Sequence, residues 1–319
     1  MIKYSIVVPL YNEELVIAET YKRLTEVMQK PGEDYELIFV NDGSRDKTEN
    51  MVREIAEHDP HVRLISFSRN FGHQIAITAG MDNSSGQAVV VIDADLQDPP
   101  ELIPQMLAKW REGYDVVYGK RLKRKGETAF KKITSKTFYR FLNGVTEVEM
   151  PVDVGDFRLI DRKVCDALKK IHEKNRYIRG IISWLGFKQT SVEYNRSERF
   201  AGETKYPFKK MLRLAVNGIT SFSTKPLRIS SYFGMFISFV SFAYLIIVLI
   251  QGLFGNTAQW GWASIMAVIL FTNGIILIIL GIIGEYVGRI YEEAKNRPLY
   301  VIRDLINFEA EENKNDHPN

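Results

Sequence analysis

From Tyr4 onward, short apolar runs alternate with stretches whose apolar positions recur at helical spacing. The runs "YSIVVPL", "YELIFVND", "VRLISFS", "AVVVIDAD" and "DVVYGKR" predict strands. All but the third are dense in apolar residues, as parallel strands covered on both faces are. Between them, Glu13 to Gln29, Asp46 to His58, Gly72 to Asn83 and Pro100 to Glu112 predict helices. This alternation makes a doubly wound α/β domain, in which ligands bind beyond the carboxyl ends of the strands. After Gly144 the pattern loosens. "VDVGDFRLIDRKV" predicts a strand and loop leading into a helix near Lys163, and "FKQTSVEYNRSERFAG" a strand plus loop. In "YPFKKMLRLAVNGITSF", Phe208, Met211, Leu212, Ala215, Val216 and Ile219 form an apolar helical face with Lys209, Lys210 and Arg213 opposite. Such a helix packs on its own domain or lies at a membrane surface, and its place before an uncharged region favours the surface.

Between Arg228 and Glu285 no residue is charged. This region holds two apolar stretches, about 232–254 and about 262–283, each of the ~20-residue length that crosses a hydrocarbon core. Two in tandem argue for membrane spans over buried core helices. Lys225 and Arg228 precede the first, and Arg289, Lys295 and Arg297 follow the second, whereas the connection "GNTAQWG" is uncharged. Both ends are therefore expected in the cytoplasm, with Trp260 and Trp262 at the far interface. The start, "MIKYSIVVPLYNEE", has an apolar run too short for a signal h-region and reads as the first strand of a cytosolic domain. The expected organisation is a cytosolic catalytic domain over 1–200, a juxtamembrane amphipathic segment over 201–228, two transmembrane helices within 229–284 and a cytosolic tail over 285–319. From Phe308 the tail is polar and expected to be disordered. The whole is a multi-pass protein of the cell membrane with both termini cytoplasmic.

Composition changes this picture in two places. Over 319 residues, 25% charged and 45% hydrophobic is a globular balance, and the single Cys165, in "DRKVCDALKKI", excludes an intramolecular disulfide and reads as a buried structural thiol. The net charge of +3 is modest, but nine basic residues crowd Lys120 to Arg140 against one acid, Glu127. That density asks for an anionic partner. A solvated face or a membrane-attracting patch is the alternative; a nucleic-acid partner is not expected.

The chemistry gathers at the predicted strand ends. "VVVIDADLQDPPELI" closes an apolar strand with Asp93, Asp95, Gln97 and Asp98. Alternation in an extended segment points Asp93 and Asp95 to one side, as suits one hard divalent cation, Mg²⁺ or Mn²⁺, with Gln97 adding an amide oxygen. A solvated acidic turn is the plainer reading of such a triplet; the buried strand before it favours the metal. No GxGxxG follows the first strand and no GxxxxGK[ST] occurs there, so a cation has to neutralise a diphosphate that no glycine-rich loop cradles. At the first strand end, Pro9 ends the strand or contacts a ligand, Asn12 caps the helix from Glu13, and Tyr11 and Glu13 offer an aromatic face and an acceptor. Asp42 with Gly43 makes a turn or a nucleoside contact. Asp98, beside Pro99, is expected to cap the following helix.

"VVPLYNEE", "VNDGSRDKT", "RNFGHQIAITAGMD", "DADLQDPPELI", "GKR", "VGDFRLIDR" and "RFAGETKY", followed by two apolar spans, resemble the inverting family 2 glycosyltransferases. Within that family the chain is similar to the polyprenyl-phosphate glycosyltransferases, over nearly all of its length up to about Pro298. The resemblance implies a GT-A type nucleotide-sugar domain. It also implies transfer of a hexose, glucose first and N-acetylglucosamine next, from a nucleotide diphosphate sugar, UDP-linked by preference, to undecaprenyl or another polyprenyl phosphate at the cytosolic face. Pro9, Tyr11, Glu13, Asp42 and Asp93 would hold the nucleotide sugar, and Asp93, Asp95 and Gln97 the metal. Arg121, Lys131, Ser135 and Arg199 would grip the lipid phosphate, with Lys131 standing where dolichol-type relatives carry arginine, a point charge for a bidentate fork. Asp156, Asp95 and Arg121 would be the catalytic set.

Asp156 matches the family's proposed base, yet a phosphate monoester with a second pKa near 6 is mostly dianionic at neutral pH and has little proton to give. Asp156 is therefore expected mainly to orient Arg158 or a phosphate-binding cation, or to assist only when the acceptor arrives as a monoanion. Two other functions fit less well. A processive polysaccharide synthase carries QxxRW after the acid, and "IRGIISWLGF" lacks it. A catalytically inactive membrane-tethered scaffold would not keep Asp93, Asp95 and Asp156 together. Gly274, Gly281, Gly284 and Gly288 permit close helix packing and leave self-association open.

Overall fold

The computed structural model describes residues 2–122, 154–195, 225–253 and 261–308. Lys131, Ser135, Arg199, the amphipathic stretch 208–219 and the polar tail past Phe308 lie outside them. The chain divides into two units, one of 1–139, 148–208 and 298–319, the other of 140–147 and 209–297.

The first unit follows the predicted alternation. Strands β1 (Tyr4–Leu10), β2 (Tyr35–Asn41), β3 (Val62–Phe67), β4 (Ala88–Val91) and β5 (Val116–Arg121) are separated by helices α1 (Ile17–Gln29), α2 (Thr48–His58), α3 (His73–Asp82) and α4 (Ile103–Arg111). Then come β6 (Val154–Asp161), α5 (Arg162–Lys169), α6 (Ile178–Trp184), β7 (Gln189–Tyr194) and, near the end of the chain, β8 (Ile302–Ile306). One sheet joins them in the order β7-β5-β6-β4-β1-β2-β3-β8. Every residue of β1 and β2 is buried, so their unbroken apolar runs reflect cover on both faces. Ile6, Val8, Leu24, Met28, Phe39 and Met106 share one core cluster, while α3 lies so close to the sheet that a Cβ at Gly80 would meet a Val7 methyl at 2.2 Å.

The sheet departs from a purely parallel one in two places. β6 runs antiparallel between β4 and β5, and β8 runs antiparallel along β3, where the pattern reading placed only a tail. β8 covers the outer edge of β3, whose ladder groups would otherwise be open to other chains. Arg53 of α2 pairs with Asp304 at 2.6 Å, and Tyr300 stacks on Phe67 at 5.3 Å between ring centroids. The helix expected from Glu13 begins at Ile17, and Asn12 is no cap: its side-chain oxygen accepts from the amide of Arg45 at 2.8 Å, tying the ends of β1 and β2 together. Cys165 is buried on α5, and burial pushes its thiol up to about 12, an inert state for a thiol at neutral pH.

The second unit contains α7 (Lys225–Leu253) and α8 (Trp262–Ala294), both longer than the apolar spans read from the sequence. Helical hydrogen bonding continues past Glu285 because charged side chains extend a helix into water as readily as apolar ones extend it into lipid. Among the described residues, Phe271–Ala294 is long and apolar enough to cross a membrane, with mean hydropathy 1.7 in its best window. The expectation of two crossings is thus supported for one helix only. Phe236 and Phe239 of α7 and Phe271 and Leu277 of α8 are each more than 60% exposed, an apolar surface that water alone does not tolerate.

Candidate active site

The parallel strands bring the carboxyl ends of β1, β2, β4, β5 and β7 to one edge of the sheet, and β6, running the other way, starts there. Strand order places β2 on one side of β1 and β4 on the other, so the winding reverses at β1 and opens a crevice beyond its end. The ladder between β1 and β4 stops at Val7 and Val91. Pro9, two residues on and buried, therefore turns its missing N–H toward the gap between the strands, where no ladder bond is lost. Tyr11 is 37% exposed beyond it. The Glu13 amide donates to Thr48 Oγ1 at 2.8 Å, fixing that loop on α2.

Asp42, at the end of β2, is buried and has both oxygens engaged. Oδ1 accepts from the Phe71 amide at 2.6 Å and Oδ2 from the Gly72 amide at 2.9 Å, so Asp42 clamps the loop that opens α3. Burial raises its carboxyl above the ordinary range, and the two amides partly offset that. Gly43 beside it has φ +66, and a Cβ there would stand 2.7 Å from the backbone of Arg69 and Asn70. Only glycine fits both the left-handed backbone and the close approach.

The acidic segment after β4 is a turn rather than the extended run the pattern implied. Leu96 sits at φ +56, and Asp95 Oδ1 accepts from the Gln97 amide at 3.1 Å. Alternation survives in burial: Asp93, Asp95 and Gln97 are half-buried while Ala94, Leu96 and Asp98 are buried. Among the described residues no group of three His, Cys, Asp or Glu side chains is arranged to hold a metal. A cation here would have two carboxylates and an amide from the protein, leaving the rest of its shell to water and substrate. Asp93 suits that role, since its Oδ1 is buried without a hydrogen bond.

Asp98 is not the helix cap expected of it; the turn at Pro100–Leu102 has no side-chain cap. The carboxylate, fully buried, accepts from Tyr194 Oη and from Arg121 Nη2 at 3.2 Å, and Arg121 Nε donates to Tyr194 Oη at 3.1 Å. Arg121 is thus held by a carboxylate and a phenol from neighbouring elements. Gly155 makes room for it, because a Cβ there would approach the guanidinium to 2.5 Å.

Asp156 lies where the β4–β6 register predicts. Val91 pairs with Arg158, so two steps further Asp93 comes opposite Asp156. Arg179 of α6 grips Asp156 with two bonds, Nε to Oδ1 at 2.8 Å and Nη2 to Oδ2 at 3.0 Å, while Nη1 donates to the Val154 carbonyl at 2.8 Å. Gln74 Nε2 adds 3.2 Å to Oδ2, and its Oε1 accepts from the Ile178 amide at 3.2 Å. Arg158 is not the partner: it donates to the Gly155 carbonyl at 3.0 Å and keeps a buried, unpaired Nε. An arginine two residues along the strand shares the sheet face of Asp156 but points along it, whereas Arg179 approaches from the covering helix. Burial draws the Arg158 guanidinium down to about 10.

His73 Nε2 stands 3.4 Å from Asp93 Oδ1 and 3.3 Å from Asp156 Oδ2. Burial disfavours its charged form, but Asp93 and Asp156 outweigh burial and push it up to about 9. Burial likewise pushes Asp93 up to about 6, with His73 pulling it back. For Asp156 burial raises the carboxyl, yet Arg179 and His73 prevail and hold it well below the usual carboxylate range. A cationic imidazole between two carboxylates and a carboxylate locked to arginine make a preorganised charged site with little proton affinity at Asp156. His73, Gln74 and Arg179 were given no role in the sequence reading. His73 and Gln74 lie in "RNFGHQIAITAGMD", one of the stretches that carry the family resemblance, and Arg179 lies in "IRGIISWLGF", but neither stretch assigns them a role.

The glycosyl transferase family 2 profile matches residues 5–169, and that of the GtrB C-terminal hairpin matches residues 225–290. An uncharacterized glycosyltransferase of Bacillus subtilis is 60% identical over 308 residues, 97% of this chain and 95% of its own. The SfII prophage-derived bactoprenol glucosyl transferase of Shigella flexneri is 44% identical, covering 94% of this chain and 97% of its own. A prophage bactoprenol glucosyl transferase homolog of Escherichia coli is 43% identical over 94% and 98%. With the α/β sheet, the acidic turn after β4 and Asp156 opposite it, these similarities make the chain a member of glycosyl transferase family 2 with a GT-A type fold and a GtrB-type C-terminal hairpin.

Proposed function

We propose that this chain is an inverting glycosyltransferase that moves a hexose, glucose before N-acetylglucosamine, from a UDP-linked sugar to polyprenyl phosphate at the cytosolic membrane face. The observation that carries this reading is the match, over 94% of the chain, to relatives named bactoprenol glucosyl transferase. The exposed apolar surface of α7 and α8 supports a membrane-borne acceptor.

In this reading Tyr11, Glu13 and the Asp42 loop hold the nucleoside, with Pro9 shaping the crevice floor. Asp93, Asp95 and Gln97 would hold Mg²⁺ or Mn²⁺, for which the unbonded Asp93 Oδ1 is suited. Bound there, the cation supplies charge neutralisation of the departing diphosphate. The acceptor phosphate arrives as a dianion and attacks the anomeric carbon in line with the leaving diphosphate, inverting the centre. Asp156 removes no proton; its two bonds to Arg179 hold that guanidinium in place as a fixed positive charge for the incoming anion. Arg121, with Lys131, Ser135 and Arg199, completes the phosphate grip.

The test is to incubate membranes containing the protein with polyprenyl phosphate and a panel of labelled nucleotide sugars, with and without chelator. The expected result is a glucosyl lipid from UDP-glucose that disappears with EDTA and returns with Mg²⁺ or Mn²⁺. No lipid product from any donor would overturn the reading.

A further inference from the structure

The start of α3, the turn after β4 and strand β6 meet at one imidazole. His73 opens α3, and the loop before it is fixed by the two amide bonds to Asp42 and by Gly72 at φ +109. The ring is thereby set between Asp93, on the donor side of the site, and Asp156, on the acceptor side, with Nε2 within 3.4 Å of both. Asp156 is already held by Gln74 and Arg179, whereas the facing oxygen of Asp93 has no hydrogen bond.

We propose that His73 is a positioning residue that couples the two halves of the site, so that occupation of Asp93 by a divalent cation and the alignment of Asp156 with Arg179 depend on one another. The inference rests on the reading above in which a cation and a diphosphate donor bind at Asp93. Nε2 hydrogen-bonds Asp156 Oδ2 at 3.3 Å and faces Asp93 Oδ1 at 3.4 Å as an ion-pair contact without a hydrogen bond. When a cation takes Asp93, the imidazole loses its second ion-pair contact, and its bond to Asp156, made beside those of Gln74 and Arg179, is left undivided. When the cation is absent, the ring competes for the oxygen the cation needs. By linkage the coupling is reciprocal: whatever draws His73 to Asp156 frees Asp93, and the reverse. The device aligns the acceptor side once the donor side is loaded.

The experiment titrates Mn²⁺ alone into the full-length protein in detergent, reading free Mn²⁺ by electron paramagnetic resonance, for wild type, His73→Leu and His73→Asn. His73→Leu removes the competing donor and is expected to bind Mn²⁺ roughly five- to tenfold tighter, while at saturating Mn²⁺ its kcat falls at least about tenfold with donor KM little changed. His73→Asn keeps a side-chain N–H and is expected to lie between wild type and His73→Leu in both measures. A residue that merely packs α3 would leave Mn²⁺ affinity unchanged or weaken it. Unchanged or weaker binding in the folded variants, with wild type binding normally, overturns the coupling alone; His73→Asn decides the matter if His73→Leu does not fold. Failure of wild type to take up Mn²⁺ removes the donor-site reading and the coupling with it. Tighter Mn²⁺ binding in the variants of a wild type that makes no glycolipid supports the coupling and overturns only the proposed acceptor.

Discussion

Asp98 illustrates how one carboxylate changes meaning once its neighbours are known. Read from "DLQDPP" it is a cap; in the fold it is fully buried and bonded to Arg121 and Tyr194. Removing one partner of a buried ion pair costs about 3–5 kcal/mol, because the other charge is left unpaired. Asp98→Ala is therefore expected to lower the melting temperature by at least about 5 °C, a loss that calorimetry would detect. A melting temperature within about a degree of wild type would show Arg121 to be content without it. Asp156 makes a different prediction. Its carboxyl is held well below the usual range by Arg179 and His73 against the opposing effect of burial, so it stays ionised across the neutral range. Asp156→Asn should cripple transfer to the same degree at pH 6 and pH 8. A defect that disappears at pH 8, where the acceptor carries no proton to remove, would identify the group as a base. Glu33 offers a pH test of stability rather than activity. Lys3, then Tyr4, hold its carboxyl down to about 2. A depressed folded-state pKa contributes stability above the unfolded value, and that contribution is lost as pH falls from about 4.5 toward 2. The stability gap between wild type and Glu33→Gln should thus be widest near neutrality and close over that window, and salt should narrow it.

The helices and strands predicted from periodicity are present because burial on two faces writes itself into consecutive residues. β8 escaped notice for the converse reason. Ile302–Ile306 alternates half-buried and exposed positions at a sheet edge, five residues following a charged helix end, with too little apolar content to stand out. Its contribution is nonetheless structural: deleting residues from 302 onward should expose the β3 edge and remove the Arg53–Asp304 pair. Size-exclusion chromatography in detergent is expected to show concentration-dependent aggregation of the truncated chain; a profile matching wild type would mean the edge needs no cover. Helix α1 began later than expected because Asn12, a good cap by type, spends its side chain on joining two loops.

For the chain as one enzyme, the separation of charge is the governing feature. A folded α/β unit carries the acidic and basic site residues, and the two exposed apolar helices carry their charges only near residues 225–228 and from Glu285 on. Leu277→Arg in α8 should test the membrane assignment, since arginine near a bilayer centre costs about 2.5–3.5 kcal/mol in insertion measurements. Carbonate extraction is expected to release more of this variant than of wild type, and equal retention would place Leu277 away from the lipid core.

Read alone, the sequence determined the strand and helix order up to β5, the crevice at the carboxyl edge, the acidic cluster after β4 and the family. Those features are local: each depends on spacing within a few residues or on a short motif with its own chemistry. Which charges meet was decided only by the tertiary structure. β6 enters the sheet antiparallel between β4 and β5, and that single insertion sets Asp156 opposite Asp93, brings Gly155 beneath Arg121 and leaves Arg158 without the partner expected of it. Arg179 and His73, on helices 106 positions apart in the chain, converge on one carboxylate because the sheet places their elements side by side. No periodicity encodes such a meeting, since the residues that share it are neighbours in space and strangers in sequence.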